Sequence, residues 1–301
     1  MTAAKTAAKQ VAKKILPEKT YRRLADKLRG NTDQEDPASF LRETIKKSTL
    51  PDESLLELKN AIEIKRRMDY APHDIYLHVD SMTELETRLH SCAKEPDTVE
   101  WIETFMKPGD TFYDVGANVG AYSLVAAKAF GGAVKVFAFE PAFLNFTQLC
   151  RNVFLNDCGD SITPLSIALS DKTSLDSFNY HDLIPGGSLH TLGEAIDYKG
   201  DRFRPVFKQT MLGFTTDYLI AQFDLPVPAH IKIDVDGIEL GILKGADRTL
   251  ADDTLRSIVV ELEEGPGEEQ ISALLFAKGF RLHARHGRRT AGMFNCIFVR
   301  A

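Results

Sequence analysis

The chain has 301 residues, 44% of them hydrophobic, enough to bury the core of one full domain plus an extension. A net charge of −6 gives no reason to expect nucleic acid as a partner, and no run approaches the roughly eighteen apolar residues of a membrane span or the apolar core of a signal peptide. Cys92, Cys150, Cys158 and Cys296 fit neither a disulfide framework nor a Cys-x-x-Cys metal motif, which suits a reduced, cytoplasmic protein, and the eight histidines form no ligand cluster.

Residues 1–30 hold nine Lys or Arg against Glu18 and Asp26, a net of +7 that leaves −13 on the rest. Lys5, Lys9 and Lys13 make one stripe of a predicted helix that Pro17 interrupts. Such a tail can attract an anionic membrane surface at up to about 1 kcal/mol per basic residue near the lipid. Peripheral membrane contact through residues 1–30 is therefore a candidate interaction. Residues 31–37 are polar and read as a linker. A helix is predicted over 51–68, with Leu55, Leu58, Ile62 and Lys65 on one face, then a strand over 75–79. Residues 98–106, with the single tryptophan, form a helix leading into the turn Pro108-Gly109-Asp110. Residues 1–95 thus read as a mainly helical N-terminal extension and 96–301 as the main domain.

From residue 110 strands and helices alternate as βαβ units. Strands are predicted at 111–115, 134–139, 162–168, 230–235, 258–262, 280–285 and 295–299, with helices at 121–130, 143–155, 238–250 and 268–278. This is an α/β fold with a seven-stranded, mostly parallel, Rossmann-like sheet. Residues 172–229 break the rhythm with a predicted hairpin, the loop Pro185–His190 and a short helix at 216–223.

The first strand runs into Asp114-Val115-Gly116-Ala117-Asn118-Val119-Gly120, and the second ends at Glu140-Pro141. A glycine-rich strand-to-helix turn followed by an acidic residue at the next strand end marks a nucleoside site, the carboxylate holding the ribose hydroxyls. A dinucleotide site needs a middle glycine so that pyrophosphate can sit on bare backbone, but Asn118 stands there. Asp114 adds a carboxylate, and at roughly 5 Å it would repel a phosphate by about 3 kcal/mol at an effective dielectric near 20. A ligand with an ammonium and a sulfonium would be attracted. The turn therefore reads as a site for S-adenosylmethionine, with Asp114, Gly116, Asn118, Gly120 and Glu140 as binding residues. Asn145, after the second strand, and Ser170-Asp171, after the third, are candidates for nucleoside and adenine contacts, each weighed against plain turn duty.

In the fourth strand Lys232, Asp234 and Asp236 share one face and Ile231, Ile233 and Val235 the other. A central parallel strand should be apolar on both faces, so its charges need a reason. Asp234 lies toward the C-terminal strand end, where ligands of open sheets bind, and is the first candidate for a general base. Lys232 is a catalytic candidate or an internal ion pair, with Glu261 as a candidate partner. Glu239, in the first turn of the next helix, is a third catalytic candidate or a helix-dipole partner. No metal is expected; a variant in which Asp234 with Asp236 or Glu261 holds a divalent ion is the alternative. His190 is an acid-base candidate or a solvated loop residue, and Glu95-Pro96 precedes the helix over the cleft.

DVGANVGAYS, AFEP with Asn145, ALSD at 168–171 and IKIDVDGIELGILKGA at 231–246 together resemble FkbM-type methyltransferases over roughly residues 108–264. Asp236 stands where that family usually has Glu. The resemblance implies a class I methyltransferase fold and S-adenosylmethionine-dependent O-methylation, commonly of sugar, glycolipid or polyketide hydroxyls. The extension 1–95 and the insertion 172–229 lie outside its motifs and are expected to carry acceptor choice. The competing readings are an NAD(P)-dependent oxidoreductase and a non-catalytic methyltransferase-like binding module. The oligomeric state is not legible in the sequence.

Overall fold

A computed structural model describes residues 51–196, 200–288 and 292–301, together with Lys13, Glu18, Lys19 and Arg22. The expected tail and linker at 1–37 otherwise lie outside the described residues. The chain divides into two compact units, 1–64 and 65–301. Residues 65–95, assigned to the extension by sequence, lie within the second unit.

In the first unit, α1 (Asp52–Ala61) begins after Pro51 with Asp52 and Glu53 in its first turn, where carboxylates favour the helix dipole. It stops well short of the expected residue 68. The cause is tertiary: Lys65–Arg67 forms β1, paired antiparallel with β2 (Tyr76–His78) in the second unit. Lys65 therefore belongs to a strand and not to a helix face.

The second unit continues with α2 (Met82–Glu86), a single 3₁₀ turn at Arg88–His90, α3 (Ser91–Lys94) and α4 (Pro96–Phe105). Then come β3 (Thr111–Val115), α5 (Ala121–Ala129), β4 (Lys135–Phe139), α6 (Phe143–Leu155) and β5 (Ile162–Leu165). After the insertion follow β10 (His230–Ile233), α8 (Glu239–Lys244), α9 (Asp247–Ala251), β11 (Ser257–Glu263), α10 (Pro266–Ala277), β12 (Phe280–Gly287) and β13 (Met293–Arg300). The main sheet has seven strands in the order β12-β13-β11-β10-β3-β4-β5. The pairs from β11 to β5 are parallel, and β13 is antiparallel to both its neighbours. This is the expected seven-stranded class I sheet.

The insertion forms a second sheet, ordered β6-β9-β7-β8 from β6 (Ala168–Leu169), β7 (Ser174–Tyr180), β8 (Thr191–Leu192) and β9 (Phe207–Phe214), followed by α7 (Thr216–Phe223). Two expectations change here. The third strand does not run through to 168: it ends at Leu165, and Ala168 and Leu169 pair instead with Gly213 and Phe214. The helix expected over 238–250 breaks near Gly245, where a Cβ would lie 2.1 Å from the carbonyl oxygen of Ser170. That close backbone approach requires glycine and ends α8.

Strand alternation divides the core. Tyr113, Val115, Ile231, Ile233, Ile258 and Val260 pack on one face, while Phe112, Val136, Ala138 and Val259 pack with Trp101 and the apolar side of α5 on the other. Lys232 and Asp114 sit on that second face, directly opposite each other in the β10–β3 register. The sheet therefore carries a buried charge just below the strand ends where its cavities open.

Candidate active site

Gly116 can only be glycine. Its φ is +81°, and a Cβ would lie 2.0 Å from the carbonyl oxygen of Asp234. The first strand end thus crosses the fourth in direct backbone contact, opening the turn toward a cavity of about 160 Å³. Val115, Gly116, Asn118, Glu140, Asn145 and Asp234 are among its lining residues. Gly120 serves helix packing instead. Its φ is +86°, and a Cβ would lie 2.5 Å from Leu149 Cδ1, so it lets α5 pack against α6.

Glu140 is buried, and each of its oxygens accepts one backbone N–H, Oε1 from Ala142 and Oε2 from Asn118, both at 2.8 Å. Each oxygen keeps a second lone pair. Burial pushes this carboxyl up to about 7, against the two N–H bonds and Arg88. A fixed carboxylate with spare acceptor capacity suits a pair of ribose hydroxyls.

Asn118 and Asn145 hold a distant loop in a way that the sequence does not reveal. The Gly187 carbonyl accepts from Asn118 Nδ2 at 2.8 Å and Asn145 Nδ2 at 3.0 Å, while Gly186 N–H donates to Asn145 Oδ1 at 2.9 Å. Arg88 donates twice to the Gly186 carbonyl, Ser81 Oγ donates to that of Pro185, and Leu189 N–H donates to Asp236 Oδ2. The loop 185–190 is therefore fastened over the glycine turn as a roof. His190 lines the cavity beneath it, and its Nδ1 accepts from His181 N–H at 3.2 Å. Burial keeps His190 below its ordinary value, so the neutral ring carries its proton on Nε2. The half-buried ring thus lines the cavity and is not the solvated loop residue that was the alternative.

Asp114 does not line the cavity. It lies on the buried face beside α5, where Ser123 Oγ donates to Oδ2 at 2.6 Å and Oδ1 has no partner. Burial raises its affinity for a proton despite Lys232 and Ser123. Ser170 and Asp171 also stand apart, on a neighbouring surface cleft. The wall expected of them is formed by Ile167, Ala168 and Leu169.

Lys232 is fully buried and lines neither cavity. Its partner is Asp234, Nζ to Oδ2 at 2.7 Å, and its ammonium also faces the Tyr122 ring at 5.0 Å. The partner envisaged from sequence, Glu261, instead receives Arg288 Nε at 2.8 Å, while Arg288 Nη2 binds Glu95. Burial opposes charge on Asp234, but Lys232, followed by Lys94, outweighs it and holds this carboxylate well below the ordinary range. It keeps 27% of its side-chain surface open to the cavity, yet a carboxylate so firmly ionised is a weak proton acceptor.

A second cavity, of about 420 Å³, adjoins the first, and Lys94, Ser188, Val235, Asp236 and Glu261 line both. Glu239 lies on the second cavity, its Oε1 accepting from Gly237 N–H at 3.0 Å. Burial pushes Glu239 up to about 7, and burial followed by the Asp234 charge pushes Asp236 up to about 6 and Glu261 to about 8. Among the described residues no three His, Cys, Asp or Glu side chains group as a metal site. Lys94, Arg88 and Arg288 were not assigned site roles from the sequence, and Glu95 was noted only as preceding the helix over the cleft. They come from the segment before β3 and from the chain's end, and no local motif marks the three cations.

Comparison with known proteins gives a consistent picture. The profile described as the FkbM methyltransferase domain matches residues 114–284. Methyltransferase sdnD of Sordaria araneosa is 31% identical, over 62% of this chain and 80% of its own. Hexuronic acid methyltransferase AglP of Haloferax volcanii is 25% identical, over 65% of this chain and 74% of its own. The 31-O-demethyl-FK506 methyltransferase FkbM of Streptomyces tacrolimicus is 27% identical, over 62% of this chain and 84% of its own.

Proposed function

The chain belongs to the FkbM methyltransferase family, and from that premise we propose that it transfers the methyl group of S-adenosylmethionine to a hydroxyl oxygen. The observation that carries this reading is a nucleoside-type cavity on Gly116 and Glu140 that meets a second cavity along a wall holding Asp236. Glu140, Asp234 and Asp236 suit the ribose hydroxyls, the ammonium and the sulfonium. Bound there, the donor supplies an electrophilic methyl carbon, and transfer to oxygen leaves a neutral thioether.

The acceptor hydroxyl must lose its proton as the new bond forms, and a positioned base contributes roughly 10²–10⁴-fold. Asp236 suits that role better than Asp234. It faces both cavities, and its pKa near 6 leaves it ionised at neutral pH yet able to take a proton. Asp234, paired with Lys232, fixes the charge around the donor. The second cavity has a carboxylate-rich lining, with Asp236, Glu239, Glu261, Glu263, Glu264 and Glu268, whose oxygens suit a hydroxyl-rich, sugar-like acceptor. A nicotinamide-dependent oxidoreductase is the poorer reading, because Asn118 occupies the middle-glycine position and is bonded to the roof.

The test is to incubate cell extracts with the enzyme and methyl-labelled S-adenosylmethionine and identify the labelled product. A product labelled on an alkyl ether oxygen is the expected outcome. A label on nitrogen or carbon would overturn the O-methylation reading, and no label with tight NAD binding would overturn both.

A further inference from the structure

The first cavity offers Glu140, Asp234, Asp236 and Glu261 to a donor's positive charges. The carboxylate at the donor's amino-acid end needs the opposite sign. Among the described residues Arg88 and Lys94 are the cations lining that cavity. Arg88 is committed to the roof, with Nε and Nη2 donating to the Gly186 carbonyl at 2.9 and 2.7 Å. Lys232 lies below the cavity floor in its pair with Asp234. Arg288 lines the second cavity alone and is held by Glu95 and Glu261.

Lys94 differs from all three. It ends α3, immediately before the turn into α4, and lines both cavities. Its side chain is 36% exposed, and one ammonium proton goes to Glu95 Oε1 at 3.1 Å. Glu95 is itself buried and fixed by Arg288 and by Thr98 Oγ1, so it aims the lysine without enclosing it. An ammonium has three donors, which leaves Lys94 capacity for a ligand.

We propose that Lys94 binds the carboxylate of the donor's amino-acid end, an inference that rests on reading this cavity as the S-adenosylmethionine site. The anionic wall of Asp234 and Asp236 then takes the ammonium and sulfonium, and Lys94 fixes which way the amino-acid end points. Glu95 acts as a positioning residue for Lys94.

The test is calorimetric titration of the full chain with S-adenosylmethionine and with its decarboxylated analogue, which keeps both positive charges. A charge-assisted contact corresponds to roughly ten- to a hundredfold in affinity, so the wild type should prefer S-adenosylmethionine by about that factor. Lys94→Met should erase the preference by weakening S-adenosylmethionine alone. The analogue should bind as before or more tightly, because a like charge has gone. Lys94→Arg should restore most of the preference. Equal losses on both ligands would mean that Lys94 is merely structural, and a preference that survives Lys94→Met would place the carboxylate elsewhere. Binding of neither ligand by the wild type would overturn the reading of the cavity itself.

Discussion

Lys232 stands in the middle of a parallel sheet, and its burial is tolerable because Asp234 meets it at 2.7 Å and Asp114 lies opposite in register. Removing one partner of a buried pair typically costs about 3–5 kcal/mol. Asp234→Asn is therefore expected to lower the urea midpoint markedly, whereas Asp236→Asn should hold or raise it at neutral pH, because it removes a buried charge that repels Asp234. In turnover the order reverses. Asp236→Asn should reduce kcat by roughly 10²–10⁴-fold and remove the acid limb expected of the wild type. That limb lies below the value of about 6 set by burial in the empty site, because the bound donor favours the ionised carboxylate. Normal turnover in Asp236→Asn would return the base to Glu239 or Asp234. Period-two alternation made the juxtaposition of Lys232 and Asp234 legible in sequence, but the strand ends at Ile233, so Val235 and Asp236 both line the cavities and do not alternate between faces. The strand-end position of Glu140 made its cavity placement legible. The sequence did not reveal that Arg288, from the chain's far end, takes Glu261, or that Asp114 lies under α5. Such pairings are decided by the packing of distant elements.

The roof loop is the element that the sequence conveyed least. Its fastenings come from Ser81 before α2, from the 3₁₀ turn, from the turn after β3, from α6 and from the strand-four motif, five separate stretches of chain. The alternation of strands and helices, by contrast, was readable, and α6 keeps its expected bounds 143–155, although its buried side carries Asn145, Gln148 and Asn152 beside Leu149 and Val153 and leaves Phe154 exposed. The third strand was misjudged because Ala168 and Leu169 satisfy their backbone on the second sheet. Asn118 sits at φ +51°, so Asn118→Gly should not strain the turn, yet it deletes one of two amides on the Gly187 carbonyl. A net loss of about 1 kcal/mol corresponds to roughly fivefold faster opening. Amide exchange at residues 186–190 should speed up by about that factor, and NAD affinity should not appear. Unchanged exchange would show that the fastenings from Ser81, Arg88, Asn145 and Asp236 hold the roof without Asn118.

Across the second unit as a whole, the cavity carboxyls set opposite pH demands on the empty and the loaded protein. Asp236, Glu140, Glu239 and Glu261 are raised to about 6, 7, 7 and 8 by burial. The folded protein thus keeps protons that the unfolded chain releases near pH 4 to 4.5. Their contribution to stability is fully present below that range and is lost as pH rises through the folded values. His230, lowered to about 4 by burial, has the opposite sign: its contribution is present above about 6.5 and lost as pH falls toward 4. His190, also lowered by burial, has the same sign as His230, and four carboxyls against two imidazoles predict that the unliganded protein loses stability between pH 5 and 8. A donor with two positive charges beside those carboxyls favours their ionised forms, so its binding should expel protons and strengthen over the same interval. Thermal unfolding should therefore show Tm of the free protein falling from pH 6 to 8, while the increment from S-adenosylmethionine grows. Titrations near pH 7 in two buffers of different ionisation enthalpy should register net proton release. A ligand increment that is flat with pH, without proton release, would mean that the donor does not lie against these carboxyls.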